Sequence, residues 1–256
     1  MYRKILYFAL FAFVSGVSAL AGGADEQRSD KKIHLVIATD ASFPPMEFVD
    51  DNGEIVGFDV DLMKAAAEAG SFTFEFINIP WDQIFVGLAA GEYEAIMSAV
   101  TITEERKKTM DVSTAYLTMA QVLVVNPDFI VVDKLEDLSG QVIGVLAGSL
   151  SAYELAKFKD RYGLLVETYY DSLPLIDDLL AGFLAAIVID EIQAELVMDD
   201  IHYTGRLRIV GEPVAQELYG IAVNKGDKKI LNTINAGLDS VLYTNIYEQI
   251  VHKWFK

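Results

Sequence analysis

Asp190 ends an apolar run, FLAAIVIDE (183–191), at the point where the sequence changes abruptly to acids. Such a run is typical of a strand that is buried on both faces of a parallel sheet. A carboxylate at the tip of such a strand can face a ligand, or it can begin a loop that faces solvent. Other parts of the chain favour the first interpretation.

Arg106 lies in TITEERKK (101–108), where Thr103 is suited to begin a helix. Arginine in the first turn opposes the helix dipole, at a cost of about 0.3–1 kcal/mol on a surface. A bound carboxylate, gripped by both arms of the guanidinium group, would offset this cost. The alternative is an exposed arginine that pairs with one of the nearby acids, Glu104, Glu105 or Asp111.

The segment GVLAGSLSAYELAKF (144–158) predicts a strand, a Gly-Ser turn and a helix. Ser151 and Glu154 match a capping box at the start of that helix. Unpaired backbone N–H groups at such a turn bind anions, because the helix dipole is positive there. An ordinary strand-to-helix turn without a ligand is the alternative.

Asp40 and Trp81 are each expected where a strand ends. An acid and an aromatic ring in such positions suit a ligand with a cationic or amide-bearing tail. The alternatives are that Trp81 packs in the core and that Asp40 caps the proline-containing turn after it.

Catalytic, metal and nucleic-acid functions find little support in the sequence. The chain has no cysteine, and its three histidines are far apart, so we expect neither a metal site nor a cofactor. No hydrolase, zincin or P-loop motif is present. The net charge of −18 opposes binding to nucleic acid or to anionic membranes.

Strands and helices are expected to alternate from Lys32 onward. IHLVIATD predicts a strand, and GFDVDLMKAAAEAG predicts a helix capped by Asp59 and ended by Gly70. This alternation indicates parallel sheets covered by helices.

A weak internal repeat suggests two similar halves. GLAAGEYEAIMSA (87–99) and DLLAGFLAAIVID (178–190) each predict a helix, a glycine and a buried strand. Ligands of open α/β sheets lie at the carboxyl ends of the strands. Two facing halves would therefore bring residues 98–101 and Asp190 to one cleft, although chance similarity of common helix–strand joints is the alternative.

The first residues resemble a secretory signal. A basic start, MYRK, precedes an apolar stretch that ends in Ala19-Leu20-Ala21, which is a cleavage pattern. We expect a signal peptide at 1–21 and a flexible segment at 22–32, with an uncleaved anchor as the alternative. Without a cysteine at the cleavage site to carry a lipid, the protein is expected in the periplasm or secreted.

Three longer stretches carry a family resemblance: IATDASFPPMEFVDDNGEIVGFDVDLMKA, GEYEAIMSAVTITEERKKTMDVSTAY and NIYEQIVHKWF. They resemble the extracellular solute-binding proteins of ABC importers for polar amino acids. The resemblance implies an α/β fold of the type II periplasmic binding proteins, with two lobes, a two-strand hinge and a ligand cleft between the lobes. Lobe 1 would comprise 33–118 and 216–256, and lobe 2 would comprise 119–215.

The resemblance also implies roles for individual residues. The ligand carboxylate would bind Arg106, the backbone N–H of Thr101 and the turn at Ser149 and Leu150. The ligand ammonium group would bind Asp190 and the carbonyl oxygen of Ala99. The ligand side chain would lie between Phe43 and Trp81 and would be recognised by Asp40.

The sequence departs from the family pattern at a few positions. Leu150 stands where a threonine is usual, and Ala147 where a polar residue is common. Backbone contacts survive these changes, whereas side-chain hydroxyl contacts do not. Phe183 and Ala185 replace a basic residue and an aspartate, which puts surface contacts of lobe 2 in doubt.

We therefore expect a monomeric binding protein, not an enzyme, that takes a polar, cationic or amide-bearing L-amino acid to an ABC permease. No nucleic-acid partner is expected. The alternative is an enzyme on the same fold that resembles the cyclohexadienyl dehydratases, with Asp190, Glu191 or Glu47 as the general acid.

Overall fold

The computed structural model describes residues 32–128 and 132–255. The expected signal peptide and all but the last residue of the expected flexible segment lie outside these ranges. Among the helices within them, none has the length and the apolar character that a membrane span requires.

The described chain alternates strands and helices throughout. The strands are β1 (His34–Thr39), β2 (Ser42–Phe43), β3 (Glu47–Val49), β4 (Ile55–Val56), β5 (Thr73–Asn78), β6 (Ala95–Ile96), β7 (Met110–Val112), β8 (Leu117–Val125), β9 (Val142–Leu146), β10 (Leu165–Tyr169), β11 (Ala186–Asp190), β12 (Arg208–Tyr219) and β13 (Ala222–Asn224). The helices are α1 (Phe58–Gly70), α2 (Trp81–Ala90), α3 (Arg106–Thr109), α4 (Leu150–Tyr162), α5 (Ser172–Leu180), α6 (Glu191–Asp199), α7 (Lys228–Val241) and α8 (Asn245–Trp254), and a 3-10 turn covers Leu135–Leu138.

Two five-stranded sheets form the framework. Sheet A has the order β5-β1-β6-β13-β7, and sheet B has the order β10-β9-β11-β8-β12. In each sheet the middle strand, β6 or β11, is parallel to one neighbour and antiparallel to the other. The strands of the two segments that repeat in sequence, β6 and β11, therefore occupy the middle position of their sheets and have neighbours of the same relative directions. A small antiparallel sheet, β2-β3-β4, lies outside this framework.

Both faces of the two sheets are covered, as the apolar runs predict. In β11, Ala186 and Val188 belong to one apolar cluster, whereas Ile187 and Ile189 belong to another. In β1, Leu35 and Ile37 pack on the side of α1 and α7, and Ala38 packs on the side of α2. Because successive strand residues point to opposite faces, a run without polar residues is required.

A two-strand ribbon continues from sheet B towards sheet A. Residues 117–121 of β8 pair antiparallel with 215–219 of β12, and Thr101 forms an isolated bridge to Tyr219 beside this ribbon. The expected crossing points, 118/119 and 215/216, fall within it. The division into two lobes at these points stays a prediction.

Helix caps differ from the sequence-based expectation at three places. Gly57, not Asp59, precedes α1, because the buried Asp59 carboxylate accepts hydrogen bonds from Ala99 N and Tyr116 Oη. At the other end Gly70 is still helical, and Ser71 takes the left-handed conformation with φ 55°. Ser149, not Ser151, caps α4 by accepting a hydrogen bond from Ala152 N at 3.2 Å.

Candidate functional site

One large cavity opens at the carboxyl ends of strands from both sheets. Its volume is about 800 Å³, and it is lined by residues that follow β1 and β6 in sheet A and β9 and β11 in sheet B. This is the place where open α/β sheets bind ligands. The lining includes eight of the nine residues predicted for the site: Asp40, Phe43, Trp81, Ala99, Thr101, Ser149, Leu150 and Asp190.

Arg106, the ninth, is not among the lining residues, but it contacts two of them, Thr101 and Trp81. Its Nη1 donates to Thr101 O at 2.9 Å, and its Nη2 donates to Gly148 O at 3.0 Å. The guanidinium carbon lies 5.4 Å from the Trp81 ring centre and 4.9 Å from that of Phe85. Burial lowers the pKa of Arg106 to about 10, against the opposing effect of nearby carboxylates, so the group stays charged at neutral pH.

The ion pairs considered for Arg106 do not form. Glu104 and Glu105 pair with Lys107 and Lys108, and Asp111 is 2.7 Å from Lys228 and 3.0 Å from Lys225. The hydroxyl oxygen of Thr103 accepts a hydrogen bond from Arg106 N at 3.1 Å, which supports the start of α3. The guanidinium therefore bonds two carbonyl oxygens, one on each side of the cavity. Its role with a ligand carboxylate stays a prediction.

The turn between β9 and α4 contacts Trp81 and Arg106, which lie on the sheet-A side of the cavity. Trp81 Nε1 donates to Ala147 O at 3.2 Å, in addition to the contact of Arg106 with Gly148. Ser149 Oγ donates to Leu146 O at 2.7 Å while it caps α4. Helix α4 thus begins beside the Arg106 guanidinium. Its first backbone N–H groups and the guanidinium both attract anions, and they lie next to each other.

Asp190 ends β11 and is held in place by two neutral donors. Its Oδ1 accepts from Gln121 Nε2 at 2.9 Å and from Tyr219 Oη at a shorter distance. Gln121 lies opposite Asp190 in the pairing of β8 with β11, and Tyr219 lies on β12. The carboxylate therefore faces the cavity and does not begin a free loop.

Glu217 is a cavity residue that the sequence analysis missed. It lies on β12 with only 3% of its surface exposed. Its Oε1 accepts from Gln121 Nε2 at 2.6 Å, and its Oε2 accepts from Thr101 Oγ1 at 2.7 Å. Burial, and then the charge of Asp190, raise the pKa of Glu217 to about 9. Strand alternation was an available signal, since Glu217 shares a face with Tyr219 two residues later.

At the other end of the cavity, Asp40 is tied to the start of α2. Its Oδ2 accepts from Trp81 N at 2.9 Å, and its Oδ1 accepts from Ser42 Oγ at 2.7 Å. A carboxylate at a helix N-terminus interacts favourably with the helix dipole. The contact with Ser42 lies in the proline-containing turn, as the alternative predicted, and the contact with α2 is additional. The same carboxylate lines the cavity.

Two further acids lie beneath the backbone of Ala99. Glu47 Oε1 accepts from Ser98 Oγ at 2.8 Å, and Asp59 Oδ2 accepts from Ala99 N at 3.1 Å. Both are buried, and this burial raises the pKa of Asp59 to about 7 and that of Glu47 well above its usual range. Ala99 has a φ of 46°, and these contacts hold that uncommon conformation.

The cavity is strongly acidic. Seven of its lining residues carry carboxyl groups, and none of those that the structure describes is a lysine, an arginine or a histidine: the acids are Asp40, Glu47, Asp82, Asp171, Asp190, Asp200 and Glu217. Within residues 32–128 and 132–255, no group of three or more metal-ligating side chains is placed to hold a metal ion. Two of these acids, Glu47 and Glu217, have raised pKa values and therefore add less negative charge to the lining than the five aspartates.

Comparison with known proteins places the chain in one family. The profile of bacterial extracellular solute-binding proteins, family 3, matches residues 35–256. A probable histidine-binding protein of Neisseria gonorrhoeae is 33% identical over 258 residues, which cover 99% of this chain and 96% of that protein.

Solved structures agree with this assignment. An ancestral arginine-binding protein bound to arginine superposes with a TM-score of 0.80 at 35% identity, covering 87% of this chain and 98% of that one. The arginine-, lysine-, histidine-binding protein ArtJ of Geobacillus stearothermophilus gives a TM-score of 0.78 at 30% identity, with coverage of 88% and 95%. The predicted α/β fold of the type II periplasmic binding proteins is confirmed. The chain belongs to the bacterial extracellular solute-binding proteins, family 3.

Proposed function

We propose that this protein binds a cationic L-amino acid in the cavity between its sheets and delivers it to the permease of an ABC importer. The observation that carries the proposal is the acidic lining, which holds five aspartates besides the buried Glu47 and Glu217 and no basic residue among the described residues that form it. The similar proteins named for binding arginine, lysine and histidine support the same class of ligand. An amide-bearing side chain, as in glutamine, could form hydrogen bonds with the lining residues, but it would be attracted less strongly by their negative charge.

The ligand's α-groups would lie at the inner end of the cavity. Asp190 would bind the ammonium group together with the carbonyl oxygen of Ala99. The carboxylate would enter between the Arg106 guanidinium and the first N–H groups of α4, where Gly148 O now accepts from Arg106. A carboxylate in this position would accept charge-assisted hydrogen bonds, which are stronger than the bond to a neutral carbonyl.

The ligand side chain would extend towards Asp40, between Phe43 and Trp81. Stacking of a cation on these rings contributes about 0.5–2 kcal/mol. An acidic side chain would instead meet the Asp40 carboxylate, and like charges in a cleft of low dielectric repel strongly.

Closure follows from the two-sided arrangement of these groups. The ligand would contact Arg106 and Asp40 on the sheet-A side and Asp190 and Ser149 on the sheet-B side, so it would bind the closed arrangement better than an open one. A ligand shifts a conformational equilibrium only through such a difference in affinity. The permease would then bind the closed surface, with the protein acting as a monomer in the periplasm or outside the cell.

A thermal-shift screen against the common amino acids tests the proposal. Arginine, lysine or histidine at 100 times its dissociation constant should stabilise the protein by about 2.7 kcal/mol. Glutamate and aspartate should leave the melting temperature unchanged at the same concentration. A preference for glutamate, or no response to any amino acid after removal of co-purified ligand, would contradict the proposal.

We do not propose the dehydratase function. Prephenate carries two carboxylates; one could bind beside Arg106, but the second would meet the acidic part of the lining and be repelled. A prephenate-depletion assay gives a direct check, and we expect no loss of prephenate.

A further inference from the structure

Asp190 and Glu217 meet at the inner end of the cavity and share their hydrogen-bond donors. Gln121 Nε2 donates to Asp190 Oδ1 at 2.9 Å and to Glu217 Oε1 at 2.6 Å. Tyr219 Oη contacts the same two oxygens, that of Glu217 at 3.4 Å. We call Asp190 and Glu217 the acid pair.

The partners of the acid pair are neutral. Glu217 completes its contacts with Thr101 Oγ1, and neither acid is hydrogen-bonded to a cation among the described residues. The charged and titratable groups that face the pair are Arg106 and Tyr219. Arg106 directs its hydrogen bonds to the carbonyl oxygens of Thr101 and Gly148.

Two ionised carboxylates in such a setting repel each other, so the empty site retains a proton. This agrees with the pKa of Glu217, which burial and the charge of Asp190 raise to about 9. The pKa of Tyr219 is also raised well above its usual value by burial, so the phenol stays protonated and cannot supply a second charge.

An acceptor beside the acid pair has no partner. Gln121 is 1% exposed and lines the cavity, yet its Oε1 accepts no hydrogen bond from any residue that the structure describes. A buried amide oxygen without a donor is unfavourable, because it loses its hydrogen bonds to water and gains none in the fold. An ammonium group bound to Asp190 and to the carbonyl oxygen of Ala99 keeps a third N–H donor. Glu217 and Gln121 Oε1, which lie beside Asp190, are the acceptors that this end of the cavity offers it.

We infer that the ligand's ammonium group takes the place of the proton shared by the acid pair, so that Glu217 is a second carboxylate for the ligand and binding releases one proton. In this exchange the O–H bond of Glu217 breaks, its electron pair stays on the carboxylate, and the proton passes to the buffer. The inference rests on the proposed function, because it requires a ligand with an ammonium group in this cavity.

The exchange makes affinity depend on pH in a defined direction. Below the pKa of the empty site, each bound ligand must displace a proton, so affinity falls by up to about tenfold for each pH unit of acidification. The dependence ends where Glu217 is protonated in the bound state as well.

Calorimetry of the ligand-free protein with the tightest-binding cationic amino acid tests this inference. Titrations at pH 7.0, 7.5 and 8.0 in phosphate and in Tris, which differ in ionisation enthalpy, give the number of protons released. Wild type should release close to one proton at pH 7, and its affinity should rise with pH. Glu217→Gln should abolish both effects, whereas Glu212→Gln, an exposed glutamate on the same strand, should behave as wild type.

The outcomes separate the inference from the proposed function. Binding by wild type without proton release, or proton release that persists in Glu217→Gln, overturns the inference and leaves the proposed function standing. If no cationic amino acid binds, both the inference and the proposed function are overturned. Should Glu217→Gln not fold, carboxyl ¹³C NMR of wild type replaces it: a glutamate carboxyl that titrates above pH 7 must ionise when ligand is added, and a spectrum without such a resonance overturns the inference.

Discussion

Replacing Asp190 with asparagine removes one charge from the inner end of the cavity and keeps the volume of the side chain. The remaining oxygen can still accept from Gln121 Nε2 and Tyr219 Oη, so the local structure should persist. Loss of one partner of a buried charged pair costs about 2–5 kcal/mol. We expect the lower end, about 2 kcal/mol or a roughly 30-fold weaker affinity, because Glu217 ionises more readily once the charge of Asp190 is gone.

Isothermal calorimetry at pH 7 with two ligands isolates the ammonium contact. L-arginine carries the α-ammonium group, and 5-guanidinopentanoic acid lacks only that group. The Asp190→Asn substitution should weaken the binding of L-arginine roughly 30-fold. It should leave the affinity for the analogue unchanged or slightly higher. Asp199→Asn, an exposed aspartate outside the cavity lining, is the matched control. Equal losses for both ligands, or no loss for L-arginine, would refute the assignment of Asp190.

Three further outcomes are expected. Arg106→Ala should weaken binding by roughly 2–5 kcal/mol with a smaller change in the free energy of unfolding, measured by calorimetry and urea titration; unchanged affinity would remove Arg106 from the site. Asp40→Asn should reduce the difference in melting-temperature shift between cationic and acidic amino acids in the thermal-shift screen. An unchanged difference would show that the Asp40 carboxylate binds only the start of α2 and not the ligand. The pKa of Asp59 is raised to about 7 in the fold and lies near 3.8 when unfolded, so Asp59 should make the ligand-free protein lose stability as pH rises from about 4 to about 7. Asp59→Asn should reduce this loss and leave the part that comes from Glu47 and Glu217, whose pKa values are also raised. Urea titrations in which the free energy of unfolding falls equally between pH 5 and pH 8 in both proteins would contradict this assignment.

Apolar periodicity predicted the sheets well, because burial on two faces leaves a clear pattern. The run that ends at Asp190 is β11, and the helix–glycine–strand repeat marks the same position in each sheet. Positions at strand ends were likewise predictable, since the carboxyl ends of the strands border the cavity whatever the side chains are.

Contacts between distant segments could not be predicted in this way. Asp59 has the residue type and the sequence position expected of a helix cap. Its carboxylate instead accepts hydrogen bonds from Ala99 and Tyr116, which approach it only in the folded chain. Glu217 reads as an ordinary strand residue until Gln121 and Thr101 are seen beside it. The guanidinium of Arg106 is directed at two carbonyl oxygens, a choice that depends on how the two sides of the cavity meet.

Titration of the refolded, ligand-free protein with L-arginine, L-lysine, L-histidine and L-citrulline tests the central claim most directly. Citrulline has nearly the shape of arginine, but its side chain carries no charge, so the comparison isolates the effect of the acidic cavity. The account predicts that at least one cationic amino acid binds tenfold or more tightly than citrulline, a difference of about 1.4 kcal/mol or more. Binding of citrulline that equals or exceeds that of all three cationic amino acids would contradict it.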